Sequence, residues 1–286
     1  MTAVIFNGRE FARKKTEELA KVIRNFSDIK KKPKLVAILV GDNLESRLYL
    51  SLKGRKAVQL GINFEFREFS ENNPQEVIDY IEKKNMDQTV NGIIVELPLP
   101  AEWDEYIVLD KIRPDKDVDC LTSENLRLLA EGRPRFVPPT VKAVGEILKE
   151  AGGVAQKKVV VVGSNGSVGK GILSYLKDAE GIDRGTEDLA SVTKNADVLI
   201  SATGVGYLIK REMVKPGAVV IDVGIEKKRD LACPLRVAKQ GGRGVVGDVD
   251  FENVKEVASF ITPVPGGVGP VTVVCLMENL IGSVYH

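Results

Sequence analysis

The sequence predicts an α/β protein with two domains, in which parallel strands alternate with helices. Short apolar runs rich in β-branched residues recur in both halves, and amphipathic stretches with helical spacing separate them. A length of 286 residues is enough for roughly two hydrophobic cores. The clearest strand is the run from Val159 to Val162, four valines that are typical of a buried parallel strand.

A glycine-rich turn follows this strand, with the sequence Gly163-Ser164-Asn165-Gly166-Ser167-Val168-Gly169. Glycines permit positive φ and carry no side chain, so such a turn can offer backbone N–H groups and a helix N-terminus to a pyrophosphate. This geometry is typical of a Rossmann-like dinucleotide-binding domain. The spacing is G-x-x-G-x-x-G rather than G-x-G-x-x-G, and a similar turn also occurs where a helix only packs tightly on its strand.

Two charged residues lie about 20 residues after the first glycine, where a Rossmann-like domain meets the adenosine ribose. Asp183 would bind a ribose hydroxyl there, whereas Arg184 would bind a 2′-phosphate. The alternative is an ordinary solvated loop.

Further parallel strands are predicted at 197–202, which ends in Thr203-Gly204, and at 218–223, which ends in Gly224. In the first half, strands are predicted at 34–41, 62–69 and 92–97, and helices at 6–26, 46–60 and 74–84. Ligands of such sheets bind beyond the carboxyl ends of the strands, so these residues and Gly163 share one expected rim.

The composition excludes several classes of function. The net charge is +1 with well-mixed signs, which favours neither a nucleic-acid partner nor a membrane partner. The start has no basic leader before an apolar segment, so we expect a cytoplasmic protein. Cys120, Cys233 and Cys275 are scattered, and His286 is the single histidine, so no metal site is predicted. Proton transfer must then depend on Lys, Tyr, Asp or Glu.

Tyr49 and Lys53 lie four residues apart on the predicted helix 46–60 and therefore share a face. Beside them is a stripe for close packing, formed by Leu50, Gly54, Ala57 and Val58. A lysine next to a packed stripe loses solvation, which lowers its pKa toward the range useful for acid–base chemistry. The alternative is an exposed lysine on an amphipathic helix.

Acidic residues follow the strands of the first half. Glu96 precedes Leu97-Pro98-Leu99-Pro100, where the prolines end sheet pairing, so its side chain is expected at a carboxyl-end rim. In Lys116-Asp117-Val118-Asp119 the acids alternate and face opposite ways, so one could bind a ligand while the other caps a helix.

The domain change is predicted at Phe136-Val137-Pro138-Pro139-Thr140, with Thr140 as the N-cap of a helix over 141–151. Near the end, the segment 261–272 is rich in proline and glycine and precedes an apolar helix over 273–285. Such a segment gives a rigid path with free backbone groups. A simple linker is the alternative.

Together these segments resemble the bifunctional methylenetetrahydrofolate dehydrogenase/cyclohydrolase family, often called FolD. The resemblance covers nearly the whole chain. The motifs that carry it are Ser46-Arg47-Leu48-Tyr49-Leu50-Ser51-Leu52-Lys53, Leu97-Pro98-Leu99-Pro100, Lys116-Asp117-Val118-Asp119 and Pro263-Val264-Pro265-Gly266-Gly267-Val268-Gly269-Pro270-Val271-Thr272.

The resemblance implies a catalytic folate-binding domain over 1–137, completed by a C-terminal helix over 270–286, and a Rossmann-like NADP-binding domain over 138–269. It also implies a homodimer with an active site between the domains. Hydride would pass from 5,10-methylenetetrahydrofolate to NADP, with NAD as the alternative cofactor, and water would convert the methenyl product to 10-formyltetrahydrofolate.

The resemblance also implies site residues. Lys53 would be the acid and base of the water step beside Tyr49 and Glu96, and Asp119 would bind the pterin. The folate would further contact Tyr49, Pro263, Gly266 and Gly267. The dinucleotide would contact Thr140, Gly163, Ser164, Asn165, Ser167, Val168, Asp183, Arg184, Thr203, Gly204, Ile225 and Thr272.

Three departures from the family pattern are present. Glu96 stands where glutamine is usual, Cys120 where glycine is expected, and Ser164 where the turn usually has arginine. Alternatives therefore stay open: a dehydrogenase whose cyclohydrolase step is weakened by Glu96, a dehydrogenase for another small substrate, and a non-catalytic folate- or nucleotide-binding module.

Overall fold

The computed structural model describes residues 2–24, 32–227 and 244–284. Its strands are β1 Val4–Ile5, β2 Lys34–Val40, β3 Asn63–Phe69, β4 Gly92–Val95, β5 Val159–Val162, β6 Glu180–Ile182, β7 Val198–Ser201, β8 Val219–Asp222, β9 Glu226–Lys227, β10 Val245–Val246 and β11 Phe260–Ile261. Its helices are α1 Gly8–Arg24, α2 Leu44–Gln59, α3 Pro74–Met86, α4 Glu105–Leu109, α5 Ser123–Ala130, α6 Pro139–Glu150, α7 Ser167–Tyr175, α8 Leu189–Thr193, α9 Phe251–Val254 and α10 Val268–Gly282, with a 3-10 turn at Arg211–Met213.

The chain forms two compact units, each with its own parallel sheet. The six-stranded unit consists of Met1–Ala12 and Thr140–Thr272, and the three-stranded unit consists of Arg13–Pro139 and Val273–His286. The predicted two-domain α/β fold class is confirmed.

The sheet of the six-stranded unit has the order β1-β11-β8-β7-β5-β6, and its neighbouring strands are parallel. The central strands β5, β7 and β8 are buried along their whole length. Apolar side chains on both faces explain why these strands are nearly all valine, isoleucine and leucine. The carboxyl ends of β5, β7 and β8 therefore lie at one edge, as the strand predictions require.

The sheet of the three-stranded unit has the parallel order β3-β2-β4. Helix α2 lies close to β3, because a Cβ on Gly54 would be only 2.8 Å from the Phe64 ring. Ala57 is fully buried on the same helix, so part of the predicted packing stripe is confirmed. Val58 was wrongly included, since 68% of its surface is exposed.

Two expectations about the domain organisation need correction, one for the N-terminal segment and one for Thr140. The segment at the N-terminus was assigned to the first domain, but β1 pairs with β11 in the six-stranded unit. Two exposed residues carry no periodicity that could reveal a partner so distant in sequence. Thr140 was expected as an N-cap, but α6 begins at Pro139 and includes it. The fixed φ of proline suits the first helical position.

Phe26 of the predicted first helix, Cys233, and residues 285 and 286 of the predicted C-terminal helix lie outside the described residues. Within the ranges that the structure describes, no helix is both long and apolar enough to cross a membrane.

Candidate functional site

A buried charged cluster forms at the carboxyl end of the three-stranded sheet. Helix α2 presents Lys53, whose Nζ donates a hydrogen bond of 2.7 Å to Oε1 of Glu96, the residue that follows β4. The same Nζ lies 3.5 Å from Oδ2 of Asp119. The Lys53 and Glu96 side chains are only 10% and 6% exposed, so this ion pair is largely shielded from solvent. Lys53 is therefore not the exposed lysine of the alternative interpretation.

The position of α2 is fixed at its start by a buried serine. Ser46 Oγ donates a hydrogen bond of 3.2 Å to the carbonyl of Leu97, just after Glu96. This contact ties the first turn of α2 to the end of β4, so Lys53 and Glu96 are held in register.

The charges of the cluster change the acidity of its members. Burial alone would lower the pKa of Lys53, but the negative charges of Asp119 and Glu96 outweigh it and raise that pKa. Burial raises the pKa of Glu96, and Lys53 opposes this shift only in part. One ammonium cannot neutralise two carboxylates, so the cluster retains a proton more strongly than its separate groups would. Burial also raises the pKa of the half-buried Tyr49.

The two acids of the Lys116-Asp117-Val118-Asp119 motif have different surroundings. The Asp117 carboxylate accepts hydrogen bonds from the backbone N–H groups of Leu121 and Thr122 at 3.0 and 2.9 Å and from the Asn125 amide at 2.8 Å. It therefore stabilises the start of α5. Asp119 faces Lys53 and keeps 18% of its side chain exposed. The prediction that the alternate acids face different ways fits this arrangement.

Other residues hold this motif in place. Lys116 Nζ donates to the carbonyls of Asn85 and Asp87, both at 2.8 Å, at the end of α3. On α10, the Asn279 amide donates to the carbonyls of Val118 and Val137, both at 2.9 Å. Sequence reasoning missed Asn279, although an amide in a largely apolar helix is a detectable signal.

Cys120 has a φ of +58°, in the left-handed region that favours glycine. Its thiol donates a hydrogen bond of 3.3 Å to the carbonyl of Phe136, and burial raises its pKa. The backbone turn after Asp119 is therefore kept in this chain without the expected glycine.

The glycine turn of the six-stranded unit has the form that a pyrophosphate requires. Gly163 has a φ of +93°, and a Cβ on Gly169 would overlap with the Gly163 carbonyl oxygen. Gly166 is the N-cap of α7 and provides no side-chain cap. The first N–H groups of α7 are thus available to an anionic ligand, and the turn fits a dinucleotide.

The acid at the end of β6 is oriented toward this turn. Asp183 Oδ2 accepts a hydrogen bond of 3.1 Å from the Asn165 N–H, and Oδ1 accepts one of 2.8 Å from the Arg184 N–H. The Arg184 side chain is exposed. This hydrogen bond to the glycine turn argues against the alternative that Asp183 lies in an ordinary solvated loop.

The rim at the ends of β7 and β8 contains acids that sequence reasoning did not assign. Asp248 Oδ2 accepts hydrogen bonds from Ser201 Oγ at 2.8 Å and from the Thr203 N–H at 2.7 Å. Asp222, the last residue of β8, accepts backbone hydrogen bonds from Gly224 and Asp248 at 3.1 and 3.0 Å. In the sequence, the glycine-flanked run Gly247-Asp248-Val249 was the one signal that could have pointed to Asp248. Of the other predicted residues here, Gly204 has a φ of +68° and Ile225 is 49% exposed.

The proline- and glycine-rich segment packs against the start of α1 within the same unit. A Cβ on Gly8 would overlap with the Gly267 carbonyl oxygen, and Gly267 itself lies against Pro263. Gly266 has a φ of +111°, and the Thr272 hydroxyl donates to the Val268 carbonyl at 3.3 Å. These close backbone contacts favour a rigid loop over a simple linker.

The predicted site residues thus fall into two groups. Tyr49, Lys53, Glu96 and Asp119 come together in the three-stranded unit. The six-stranded unit contains the predicted dinucleotide residues and the Pro263, Gly266 and Gly267 loop. Among the described residues no group of three or more His, Cys, Asp or Glu side chains could hold a metal ion.

Comparison with known proteins gives two matches to family models that together cover most of the chain. Residues 6–119 match the catalytic domain of tetrahydrofolate dehydrogenase/cyclohydrolase, and residues 138–286 match the NAD(P)-binding domain of the same family. The resemblance inferred from the sequence motifs is therefore confirmed.

Relatives and solved structures agree with this assignment. The bifunctional protein FolD of Acetivibrio thermocellus is 38% identical, with 98% of this chain and 96% of the relative covered. The bifunctional protein FolD of Bacillus subtilis is also 38% identical, with 99% of this chain and 98% of the relative covered. Among solved structures, FolD from Trypanosoma brucei, complexed with NADP and an inhibitor, has a TM-score of 0.90 at 32% identity, with 99% and 97% covered. FolD from Campylobacter jejuni has a TM-score of 0.90 at 33% identity, with 99% of each chain covered. The chain belongs to the tetrahydrofolate dehydrogenase/cyclohydrolase family.

Proposed function

We propose that this protein oxidises 5,10-methylenetetrahydrofolate to 5,10-methenyltetrahydrofolate with NADP and then hydrolyses the product to 10-formyltetrahydrofolate. The observation that carries the proposal is the buried cluster of Lys53, Glu96 and Asp119. Such a cluster is unnecessary for a protein that only binds a nucleotide. Relatives named as bifunctional and the NADP complex of the Trypanosoma brucei protein support both activities and the cofactor.

NADP, when bound, supplies the acceptor for a hydride. The residues of this chain provide its binding site: the turn at Gly163, Ser164, Asn165, Ser167 and Val168 offers backbone N–H groups to the pyrophosphate. Arg184 binds the 2′-phosphate, since its side chain is exposed beside the turn. Thr140, Thr203, Gly204, Ile225 and Thr272 contact the rest of the dinucleotide by the family resemblance.

In the water step, Lys53 holds and transfers the proton. Water must lose a proton as it adds to the methenyl carbon, and Lys53 is the basic side chain of the cluster. A dry environment strengthens each charge interaction there. Glu96 and Asp119 set the acidity of Lys53, and Tyr49 packs on the same helix face.

The folate is bound by Asp119, whose carboxylate can accept from two adjacent N–H donors of a pterin. Asp117 is unsuited to this role, since its oxygens already accept from Leu121, Thr122 and Asn125. The resemblance extends the folate contacts to Tyr49, Pro263, Gly266 and Gly267.

A second candidate function has one observation in its favour. Glu96 is a carboxylate bonded to Lys53 at 2.7 Å, where glutamine is usual in the family, and it raises the pKa of the base. A chain of this kind could retain the dehydrogenase while its cyclohydrolase step is weak near neutral pH.

A homodimer and a cytoplasmic location are further proposals. The family resemblance supports the homodimer. Light scattering coupled to gel filtration measures the first directly: a mass near twice 31.2 kDa supports the homodimer, and a mass near 31.2 kDa contradicts it.

The purified protein is tested with methylenetetrahydrofolate and either NADP or NAD, while NADPH or NADH absorbance is followed. Loss of methenyl absorbance measures the second step. Both signals support the bifunctional proposal, and the first alone supports the dehydrogenase. Dinucleotide binding without turnover indicates a non-catalytic module or another substrate.

A further inference from the structure

The carboxylate of Asp248 is fully buried at the carboxyl ends of β7 and β8. Its Oδ2 accepts two hydrogen bonds, from Ser201 Oγ and from the Thr203 N–H, at 2.8 and 2.7 Å. Its Oδ1 accepts none from the residues that the structure describes. A buried carboxylate oxygen without a donor is unfavourable, so its presence calls for a functional explanation.

The free oxygen faces the backbone of the rim. A Cβ on Gly224 would overlap with Oδ1 of Asp248, so the carboxylate lies directly against the main chain at position 224. Ile225, the next residue, is 49% exposed. The negative charge is therefore only one residue from a side chain at the surface of the rim.

A second buried acid, Asp222, lies beside Asp248 and its acidity responds to the charge of Asp248. Asp222 is 2% exposed, and burial, followed by the charge of Asp248, raises its pKa to about 8. In the described part of the chain, no lysine or arginine forms an ion pair with either carboxylate. The groups that stabilise the two carboxylates are hydrogen-bond donors: the Ser201 hydroxyl and the backbone N–H groups of Thr203, Gly224, Asp248 and Val249.

By the family resemblance, the proposed function would bring the nicotinamide to this rim, near Ile225. The oxidised nicotinamide ring carries a positive charge, and the reduced ring is neutral. A fixed negative charge nearby therefore stabilises one form of the cofactor and leaves the other unaffected.

We propose that Asp248 makes this protein bind oxidised NADP in preference to NADPH. This inference rests on the proposed function. In the dehydrogenase step the C–H bond of the methylene carbon breaks, its electron pair and hydrogen pass to nicotinamide C4, and the ring loses its charge. The attraction to Asp248 ends at that moment. The oxidised cofactor is thus held for reaction, and the reduced cofactor leaves more easily.

The substitution Asp248→Asn tests this role with little structural change. The Asn oxygen can take the place of Oδ2 and keep both hydrogen bonds, and its NH₂ group takes the place of the oxygen that has no donor. Removal of an unpaired buried charge should leave the melting temperature unchanged or raise it. Asp222→Asn would be a less informative variant, because both oxygens of Asp222 accept hydrogen bonds from backbone N–H groups and an amide NH₂ would disrupt them.

The experiment is a titration of wild-type protein and Asp248→Asn with oxidised NADP, NADPH and 2′-phospho-ADP-ribose, which has no nicotinamide, by calorimetry. We expect Asp248→Asn to reduce the ratio of oxidised to reduced affinity about tenfold, equivalent to ~1.4 kcal/mol, and to leave 2′-phospho-ADP-ribose unchanged. Ser201→Ala removes a hydrogen bond but keeps the charge, so it should keep the wild-type ratio.

Two outcomes would overturn the inference. An unchanged ratio in Asp248→Asn would show that its charge does not reach the nicotinamide, and an equal loss for all three ligands with a lower melting temperature would show a structural role only. If wild-type protein binds none of the ligands, the proposed function itself is wrong.

Discussion

The two buried acidic clusters differ in what compensates their charge. In the three-stranded unit, Glu96 and Asp119 share the ammonium of Lys53, whereas in the six-stranded unit Asp222 and Asp248 have hydrogen-bond donors and, among the described residues, no cation. A carboxylate beside a lysine can take part in proton transfer, because the pair has a proton to exchange. A carboxylate such as that of Asp248, with hydrogen-bond donors but no cation beside it, acts in our proposal through its electric field.

The largest expected effect comes from Lys53→Met, which converts the first cluster into two acids without a cation. Cyclohydrolase activity should fall by about 10²–10⁴-fold, the usual contribution of a general acid or base. The dehydrogenase should fall much less, because hydride transfer needs no proton from the enzyme. Lys56→Met, on the same helix, is the control, and full cyclohydrolase activity in Lys53→Met would remove Lys53 from the mechanism.

The next largest effects distinguish the roles of Asp117 and Asp119, which lie two residues apart. Asp117→Ala should lower the free energy of unfolding by roughly 2–4 kcal/mol, because α5 loses its buried acceptor. Asp119→Ala should change stability much less but abolish folate binding and both activities, while cofactor binding remains. Chemical denaturation and folate titration measure the two effects.

Asp115→Ala is the control for this comparison, since its carboxylate is 47% exposed and pairs with Arg113 at the surface. Normal folate affinity in Asp119→Ala would show that another residue binds the pterin.

A smaller effect is expected at Arg184, which is exposed, and at its half-buried neighbour Asp183, because solvent weakens charge interactions there. Arg184→Ala should raise the KM for NADP about tenfold and leave that for NAD nearly unchanged. Asp183→Ala is the matched variant and should impair NAD more than NADP. Steady-state kinetics with NADP and with NAD measure these changes in KM. An equal rise in both KM values in Arg184→Ala would contradict the role of Arg184 in binding the 2′-phosphate.

Much of the fold could be predicted because its signals are local. The valines of β5 and the glycines after them specify a buried strand and a tight turn within a dozen or so residues. By contrast, β1 pairs with β11 near the other end of the chain, and neither of its residues is buried. Such a contact leaves no pattern in a single sequence.

The same distinction applies to the site. Tyr49 and Lys53 share a helix face, so their proximity follows from helical spacing. The strand end predicted Glu96 at the rim, and the family resemblance placed it beside Lys53 and chose Asp119 over Asp117 as the ligand-binding acid. Asp222 and Asp248 come together through strand ends that the sequence separates widely. Their role could not be inferred before the sheet order was known.

The central claim is that Lys53 performs the water step and that Glu96 controls its acidity. The most direct measurement is the pH dependence of both activities in wild-type protein and in Glu96→Gln. Because the carboxylates raise the pKa of Lys53, removal of one of them should lower that pKa and increase the neutral amine at a given pH. We predict higher cyclohydrolase activity near neutrality in Glu96→Gln, a profile moved to lower pH, and an unchanged dehydrogenase. An unmoved cyclohydrolase profile, or an equal shift of both activities, would contradict the account.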